Sequence, residues 1–391
     1  MFAFCKADFV HKWLLGFAYW FDVMPETNYV SVPYATKKEV WQVYHCEYAD
    51  LVTTNDPSIV HLPRQPVCIS YFCNVWGSKS DTKRIRLFRK NGFCKCSTCN
   101  QLEQSILKTQ DRSRKEILRQ QMKDHRNWVY SEKHSYYARR AAARDDPDAI
   151  LSLIIDGADQ IKYHLPHFGR IDHDSAGMRL PCLLTGCISH GGPTYCYLGM
   201  GNLKQGTNLT IEVMFQVLMD LIRSKGRVPP ICYLQLDNTA KQCKSKFMVG
   251  WCGYLVGCGA FEKIILSFLP VGHTHEDIDG LFGNISEKLS GRDAVSREAM
   301  KQLIATSCQT QSLDENGNRM APVVVNLDLI ANFSGYIEPY LVRYPKISKW
   351  HQFEFTKVNT DEGPNVKVRV RLDTSSNFQY WSTTHARAVC L

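Results

Sequence analysis

Hydrophobic residues recur along the chain in three rhythms, each predicting a different element. Short apolar runs at Leu151–Ile155, Ile231–Leu236 and Ile264–Leu269 predict buried strands, and Leu180–Ser189 and Thr194–Met200 predict two more, joined by a turn at Gly191-Gly192. A helical period follows Asn208, the expected cap of a helix running to about Ser224 and stopped by Lys225-Gly226. A second helix is expected from about Lys241 to Val256, weakened by Gly250 and Gly253 at about 1 kcal/mol each. A third opens near Glu276 and repeats Ile278, Leu281, Phe282, Ile285 and Leu289 on one face. From residue 149 the order is therefore strand, strand, strand, helix, strand, helix, strand, helix. Beyond Gly291 come a helix over Arg297–Cys308, a loop at Asn316-Gly317 and a β-rich tail. In that tail Val366 to Leu372 alternates strictly, placing Lys367, Arg369 and Arg371 on one face, read as solvent-exposed in preference to a second nucleic-acid contact.

The first 148 residues read differently. Residues 1–66 are aromatic-rich and helical in pieces, with Thr36 and Glu39 spelling a capping box. Helix-turn-helix DNA binding has no support there, and packing is the better account. The stretch 67–148 holds Cys96-Ser-Thr-Cys99, a spacing that lets two thiolates share one tetrahedral zinc. That is half a site. Candidates to complete it are His125, His134, Cys94, Cys68 and Cys73. A redox role would call for a βαβ setting, which the pattern lacks. The knuckle leads into a helix carrying Leu102, Ile106 and Leu107, then a second announced by Ser113-x-x-Glu116 and stopped by Asp145-Asp146-Pro147. Ile117, Leu118, Met122, His125, Val129 and Tyr136 form the expected apolar side of this second helix.

Composition sharpens this picture in two places. At 391 residues, 44% hydrophobic and 22% charged, the chain fits two or three ordinary globular domains. The apolar run Trp13–Phe21 is too short for a bilayer and lacks the flanks of a secretory signal. An intracellular protein with reduced thiols follows, so its 16 cysteines are read as thiols and metal ligands rather than disulfides. Net charge is +9, but residues 79–144 alone hold 18 Lys and Arg against 6 Asp and Glu. The remainder is slightly acidic. The block therefore predicts a polyanionic partner, gripped by Arg112, Arg114, Lys115, Arg119, Lys123, Arg126, Arg139 and Arg140, although a solvated helix face gives the same spelling.

Carboxylates mark three comparable places. Asp156 ends the first strand, Asp237 ends the fourth, and Glu276, Asp277 and Asp279 open the helix after the fifth. If the first and fourth strands are parallel neighbours, Asp156 and Asp237 lie side by side with the helix acids above them. Crowded carboxylates raise one another's pKa, and hard divalent ions relieve that repulsion. The expectation is a two-ion Mg²⁺ or Mn²⁺ site that activates water or a 3′-hydroxyl against a phosphodiester. Each acid has a plainer reading as a cap, turn former or ion-pair partner. His273 and His275 precede the acids by a few residues. Backbone hydrogen bonding or phosphate contact is preferred for them over a zinc role.

Four segments carry a family resemblance: Lys95-Cys-Ser-Thr-Cys, Ile155-Asp-Gly-Ala-Asp-Gln-Ile-Lys, Leu234-Gln-Leu-Asp-Asn-Thr and Phe268-Leu-Pro-Val-Gly-His-Thr-His-Glu-Asp-Ile-Asp. They resemble a eukaryotic, transposon-derived domain-of-unknown-function family (7869), and the strand order is similar to the ribonuclease H-like fold of transposases and integrases with an Asp-Asp-Asp/Glu triad. The resemblance implies an α/β fold: a ribonuclease H-like mixed sheet flanked by helices over 149–291, after helical and zinc-knuckle regions at 1–66 and 67–148, and before an α+β region at 292–391. Joined to the carboxylate pattern, it leads to an expectation of metal-dependent phosphoryl transfer on DNA by Asp156, Asp237 and Asp279, or Glu276 in the third place, with His273 and His275 nearby; the triad is inferred from these residues, not carried by the family. Zinc on Cys96, Cys99, His125 and a fourth ligand is expected to be structural. A nuclease and a catalytically inactive, host-adopted binding or assembly module are the alternatives. Nuclear localisation, DNA and a homo-oligomeric assembly as partners, and no membrane association complete the expectation. The family resemblance further implies that the chain is a piece lacking a longer amino-terminal part.

Overall fold

The computed structural model describes residues 2–19, 29–32, 34, 36–59, 61–87, 96–170, 179–201, 203–238, 243–270, 272–273, 276–310, 317–341, 347–360, 363–373 and 376–380. The chain divides into two compact units, Met1–Cys94 and Lys95–Leu391. The knuckle and the basic helix thus belong to the same unit as the large sheet, and so does the carboxyl-terminal region.

The first unit contains α1 (Phe2–Tyr19), β1 (Val30–Val32), α2 (Lys37–Thr53), α3 (Ile69–Ser78) and β2 (Ile85–Leu87), with β1 and β2 paired in parallel. The predicted capping box closes: the Glu39 N–H donates to Thr36 Oγ1 at 3.2 Å and the Thr36 N–H donates to Glu39 Oε2 at 3.3 Å. Val10, Leu14, Val40, Tyr44, Phe72 and Trp76 form its core. The aromatic richness of this segment is spent on packing, Tyr44 and Phe72 lying 5.2 Å apart between ring centres. Cys68 and Cys73 lie here, at and within α3, one exposed and one half-buried.

The second unit begins with α4 (Ser97–Lys108) and α5 (Arg112–Asp145). Then follow β3 (Ile150–Gly157), β4 (Cys182–His190), β5 (Thr194–Met200), α6 (Thr207–Lys225), β6 (Ile231–Leu236), α7 (Lys246–Gly257), β7 (Lys263–Phe268) and α8 (Asp277–Leu289). The unit ends with α9 (Arg297–Ala305), β8 (Val323–Leu327), α10 (Phe333–Ile337), β9 (Gln352–Thr360), β10 (Gly363–Arg371) and β11 (Gln379–Tyr380). No described helix is long and apolar enough to cross a membrane.

One mixed sheet of nine strands runs β11-β10-β9-β7-β6-β3-β4-β5-β8. The parallel pairing expected between the first and fourth strands is present, with Ile150 opposite Ile231 and Ile155 opposite Leu236. β7 continues the parallel set beyond β6, while β4 runs antiparallel to both β3 and β5. Helices cover both faces, which is why β3 reads as an unbroken apolar run. Leu151, Leu153 and Ile155 join the core shared with α6 and α7. Ile154 turns the other way and packs with Tyr136 of α5 and Ile278 of α8. A second core under α8 and α9 contains Leu184, Cys196, Leu198, Leu281, Ile285 and Met300.

Details of the sequence reading shift where tertiary contacts decide. Gly206, not Asn208, caps α6, and Asn208 Oδ1 instead accepts from the Ser334 N–H at 2.8 Å. The glycines of α7 are not mere weaknesses, since a Cβ on Gly250 would meet Leu341 Cδ2 at 2.1 Å. The strand over 366–372 is found, with Val366 and Val370 buried as its alternation requires. Its basic face is not simply solvated: Arg369 pairs with the buried Glu354, and Arg371 Nε donates to the buried Gln352 at 2.9 Å.

Candidate metal centre and acid cluster

The turn between β7 and α8 borders both a Cys/His group and a set of acids. Gly272 adopts φ = 80°, a left-handed conformation cheap only for glycine, and the His273 N–H donates to Pro270 O at 2.9 Å. This reversal sends the His273 ring to the base of the α4–α5 hairpin. There Cys96, Cys99, His125 and His273 bring their ligand atoms within 4.8 Å of one another, a group able to hold a metal ion and compatible with zinc.

The individual spacings agree with that chemistry. The His125 and His273 Nε2 atoms are 3.3 Å apart, Cys96 Sγ is 3.3 Å from His125 Nε2, and Cys99 Sγ is 3.5 Å from His273 Nε2. A tetrahedron with ordinary zinc–nitrogen and zinc–sulfur bonds has edges of about 3.4 Å between nitrogens and about 3.6 Å between nitrogen and sulfur. Both cysteines are buried, and Cys96 Sγ accepts the Cys99 N–H at 3.4 Å, which fixes the sulfur at the start of α4. Burial and the neighbouring His125 hold the His273 imidazole down to about 4, and burial also lowers His125. Both rings are therefore neutral near pH 7, as metal ligation requires. A tetrahedral zinc held by all four would have no open position.

The fourth member of the group is His273, for which the sequence reading preferred hydrogen bonding or phosphate contact over a zinc role. Of the other candidates, His134 is exposed on α5, Cys68 and Cys73 lie in the first unit, and Cys94 lies outside the described residues. His275 also lies outside them. What hid His273 was distance along the chain: 174 residues separate it from Cys99.

Three residues beyond His273 the same turn becomes the start of α8, and its acids divide their duties. Glu276 is the N-cap; its fully buried side chain lies 3.0 Å from Lys133 Nζ of α5. Burial raises its pKa and Lys133 opposes that shift. Asp277 accepts the Tyr136 hydroxyl at 2.8 Å and lies 3.2 Å from Arg140 Nη1 and 2.9 Å from His190 Nε2. Ser152 Oγ lies 2.9 Å from His190 Nδ1, which ties this knot to β3. Burial alone would raise Asp277, but Arg140 and the bonds from His190 and Tyr136 hold its carboxyl well below the usual range. Glu276, which the sequence offered as an alternative third acid, is thus committed to Lys133.

Asp279 remains. Its Oδ2 accepts the Glu276 N–H at 2.9 Å, and its charge, with that of Asp237, is felt at Asp156. Strand alternation explains the convergence: Asp156 lies on the Ile154 side of β3, which α8 covers, and Asp237 follows β6 one strand away. Burial, Asp237 and Asp279 together push Asp156 up to about 7, even though its Oδ1 accepts the Gly157 N–H at 2.8 Å. Asp237 Oδ1 similarly accepts the Asn238 N–H at 2.7 Å. A Cβ on Gly186 of β4 would come within 3.0 Å of the Phe282 ring, so glycine there lets α8 approach the sheet closely. Among the described residues these acids do not reach the closeness of the Cys/His group.

The basic helix also divides. Arg114, Arg119 and Lys123 are exposed, Lys115 and Arg126 half-buried, and the Arg112 side chain lies outside the described residues. Arg139 and Arg140 do not belong to a phosphate-facing set. Arg140 is 2% exposed and bound to Asp277, while Arg139 Nη2 donates to Gln352 Oε1 at 2.9 Å. Burial lowers Arg139, to about 10. Met122, Val129, Tyr136 and Ala143 are the buried apolar residues among the described side chains of α5, one seam spaced by sevens. Ile117, expected on that seam, is 60% exposed.

The fold and this site define a mixed α/β protein in which a Cys₂His₂ group joins a helical hairpin to the acid-bearing edge of a sheet. Residues 172–371 match the model of a domain of unknown function (DUF7869), and the chain belongs to that family. The match spans Asp237, His273 and Asp279, whereas Cys96, Cys99, His125 and Asp156 precede it. No curated protein and no solved structure matches the chain.

Proposed function

We propose that this protein is a transposase- or integrase-like enzyme of ribonuclease H-like architecture, carrying out divalent-metal-dependent phosphoryl transfer on DNA. The observation that carries the reading is that Asp156 and Asp237 stand at the ends of two parallel neighbouring strands, and that the charges of Asp237 and of Asp279 in the first turn of α8 are felt at Asp156. The antiparallel β5-β4-β3 half followed by parallel β6 and β7 supports the architecture. Like charges in a partly buried setting destabilise one another, and a hard cation removes that cost.

Asp156, Asp237 and Asp279 would hold Mg²⁺ or Mn²⁺. Such ions polarise phosphoryl oxygens and lower the pKa of a bound water or 3′-hydroxyl. The chain's own contribution is positional. The Glu276 N–H fixes one oxygen of Asp279, the Gly157 N–H orients Asp156, and the ion pairs of Glu276 and Asp277 with α5 hold the end of the helix in place. Arg114, Arg119 and Lys123 supply a sequence-independent grip on backbone phosphates. A nuclear site of action accompanies a DNA substrate.

The test is cleavage and strand joining of duplex and 3′-recessed DNA in Mn²⁺, with Asp237→Ala beside the wild type. Metal-dependent activity lost in Asp237→Ala, with circular dichroism and DNA binding retained, supports the reading. Cleavage without joining assigns a nuclease. DNA binding with no activity in the zinc-loaded wild type removes the enzymatic reading and leaves the host-adopted module.

A further inference from the structure

The α4–α5 hairpin has little core of its own. Among the described residues of α4 only Cys99 is buried, and Leu107 near its end is 73% exposed. Up to the middle of α5 the buried seam amounts to Met122 and Val129. Yet this hairpin carries the exposed cations, and its base supplies three of the four ligands that converge on the β7–α8 turn. The fourth, His273, stands three residues before the N–H that holds Asp279. Two separately placed functions, a cationic grip and an acid cluster, are thus mechanically linked through one Cys₂His₂ group.

We infer that metal at Cys96, Cys99, His125 and His273 is a joint: it locks the basic hairpin to the acid-bearing turn, and its loss releases both while leaving the sheet folded. The physical case lies in what remains when the ion leaves. Two neutral imidazoles and two thiols 3.3–3.5 Å apart make only weak mutual hydrogen bonds, and the hairpin has few apolar contacts to replace the lost coordination. The central strands keep their own cores on both faces and need nothing from the centre. His273 is in this scheme a positioning residue for Asp279. That last consequence rests on the phosphoryl-transfer reading; the joint itself does not.

The experiment uses the whole chain as wild type, His273→Ala, His273→Cys and a chelator-stripped sample to which Zn²⁺ is returned. Zinc content by mass spectrometry, amide hydrogen exchange and Mn²⁺ affinity by electron paramagnetic resonance are read on each. Wild type and His273→Cys are expected to hold one zinc per chain, and His273→Ala to lose it. Zinc loss should speed exchange about tenfold or more in residues 97–128 and in the first turn of α8, with β3 and β6 unchanged. Mn²⁺ affinity should fall about tenfold alongside, and returned zinc should restore all three. Stoichiometric zinc in His273→Ala, unchanged exchange without zinc, or equal acceleration in β3 and β6 would each overturn the joint. If the zinc-loaded wild type binds no Mn²⁺ that Asp156→Asn abolishes, the enzymatic reading falls alone, and the joint is judged by zinc content and exchange.

Discussion

The two polar clusters on either side of Glu276 are built from opposite materials, and their geometry differs accordingly. In the Cys/His group, neutral rings and small thiols close to 3.3–3.5 Å. In the acid cluster, burial, with the charges of Asp237 and Asp279 added to it, lifts Asp156 to about 7, and among the described residues the acids do not reach that closeness. Thiols and neutral imidazoles can be folded together before a cation arrives, because their uncharged forms repel little. Carboxylates cannot, so the fold must hold them by other bonds. That is the use of the buried pairs at Glu276 and Asp277, which anchor the helix end against the repulsion that Asp279 adds. One turn thus borders both a Cys/His group and an acid cluster, a few residues apart.

The comparison breaks most visibly if the Cys/His group is removed. Cys99→Ser should abolish stoichiometric zinc, a site of a kind worth about 10–16 kcal/mol of apparent binding energy in small zinc peptides, as checked by competition with a chromogenic chelator. Next comes the anchor. Asp277→Ala leaves Arg140 buried without its carboxylate and should cost about 3–5 kcal/mol in urea unfolding; Glu276→Ala strands Lys133 and should act in the same direction.

The acid cluster should behave in the reverse sense. Asp156 titrates near 7 when folded, against about 3.9 in an unfolded chain, so below about pH 4 it is protonated in both states and has no effect. As pH rises through the folded value, the unfolded state releases its proton more readily and stability is lost. Asp156→Asn in chelator should therefore raise the melting temperature at pH 8 and leave it nearly unchanged at pH 4. Equal melting temperatures at pH 8 would show that the acids do not crowd. The smallest effect belongs to the exposed cations: Arg119→Ala and Lys123→Ala should shift stability by less than about 0.5 kcal/mol. Each should lower the salt slope of DNA binding by about one in a fluorescence titration.

What the sequence determined by itself is local, and it is considerable. Strand runs such as Ile231–Leu236 and Thr194–Met200 were legible to the residue, because a strand covered on two faces reads as a mostly apolar run bounded by turn residues. The knuckle spacing, the Thr36 capping box and the acidic opening of α8 were also readable, since each is settled within a turn or two of chain. Tertiary structure alone decided partnership. His125 and His273 look alike in sequence to His134 and His275, and only the Gly272 turn and the base of the hairpin select a pair. Arg139 and Arg140 read as members of a cationic face until the sheet and α8 bury them. The physical reason is the same in each case: charge and ligand chemistry act through distance in space, and periodicity reports which side of its own helix or strand a residue occupies, not what stands opposite.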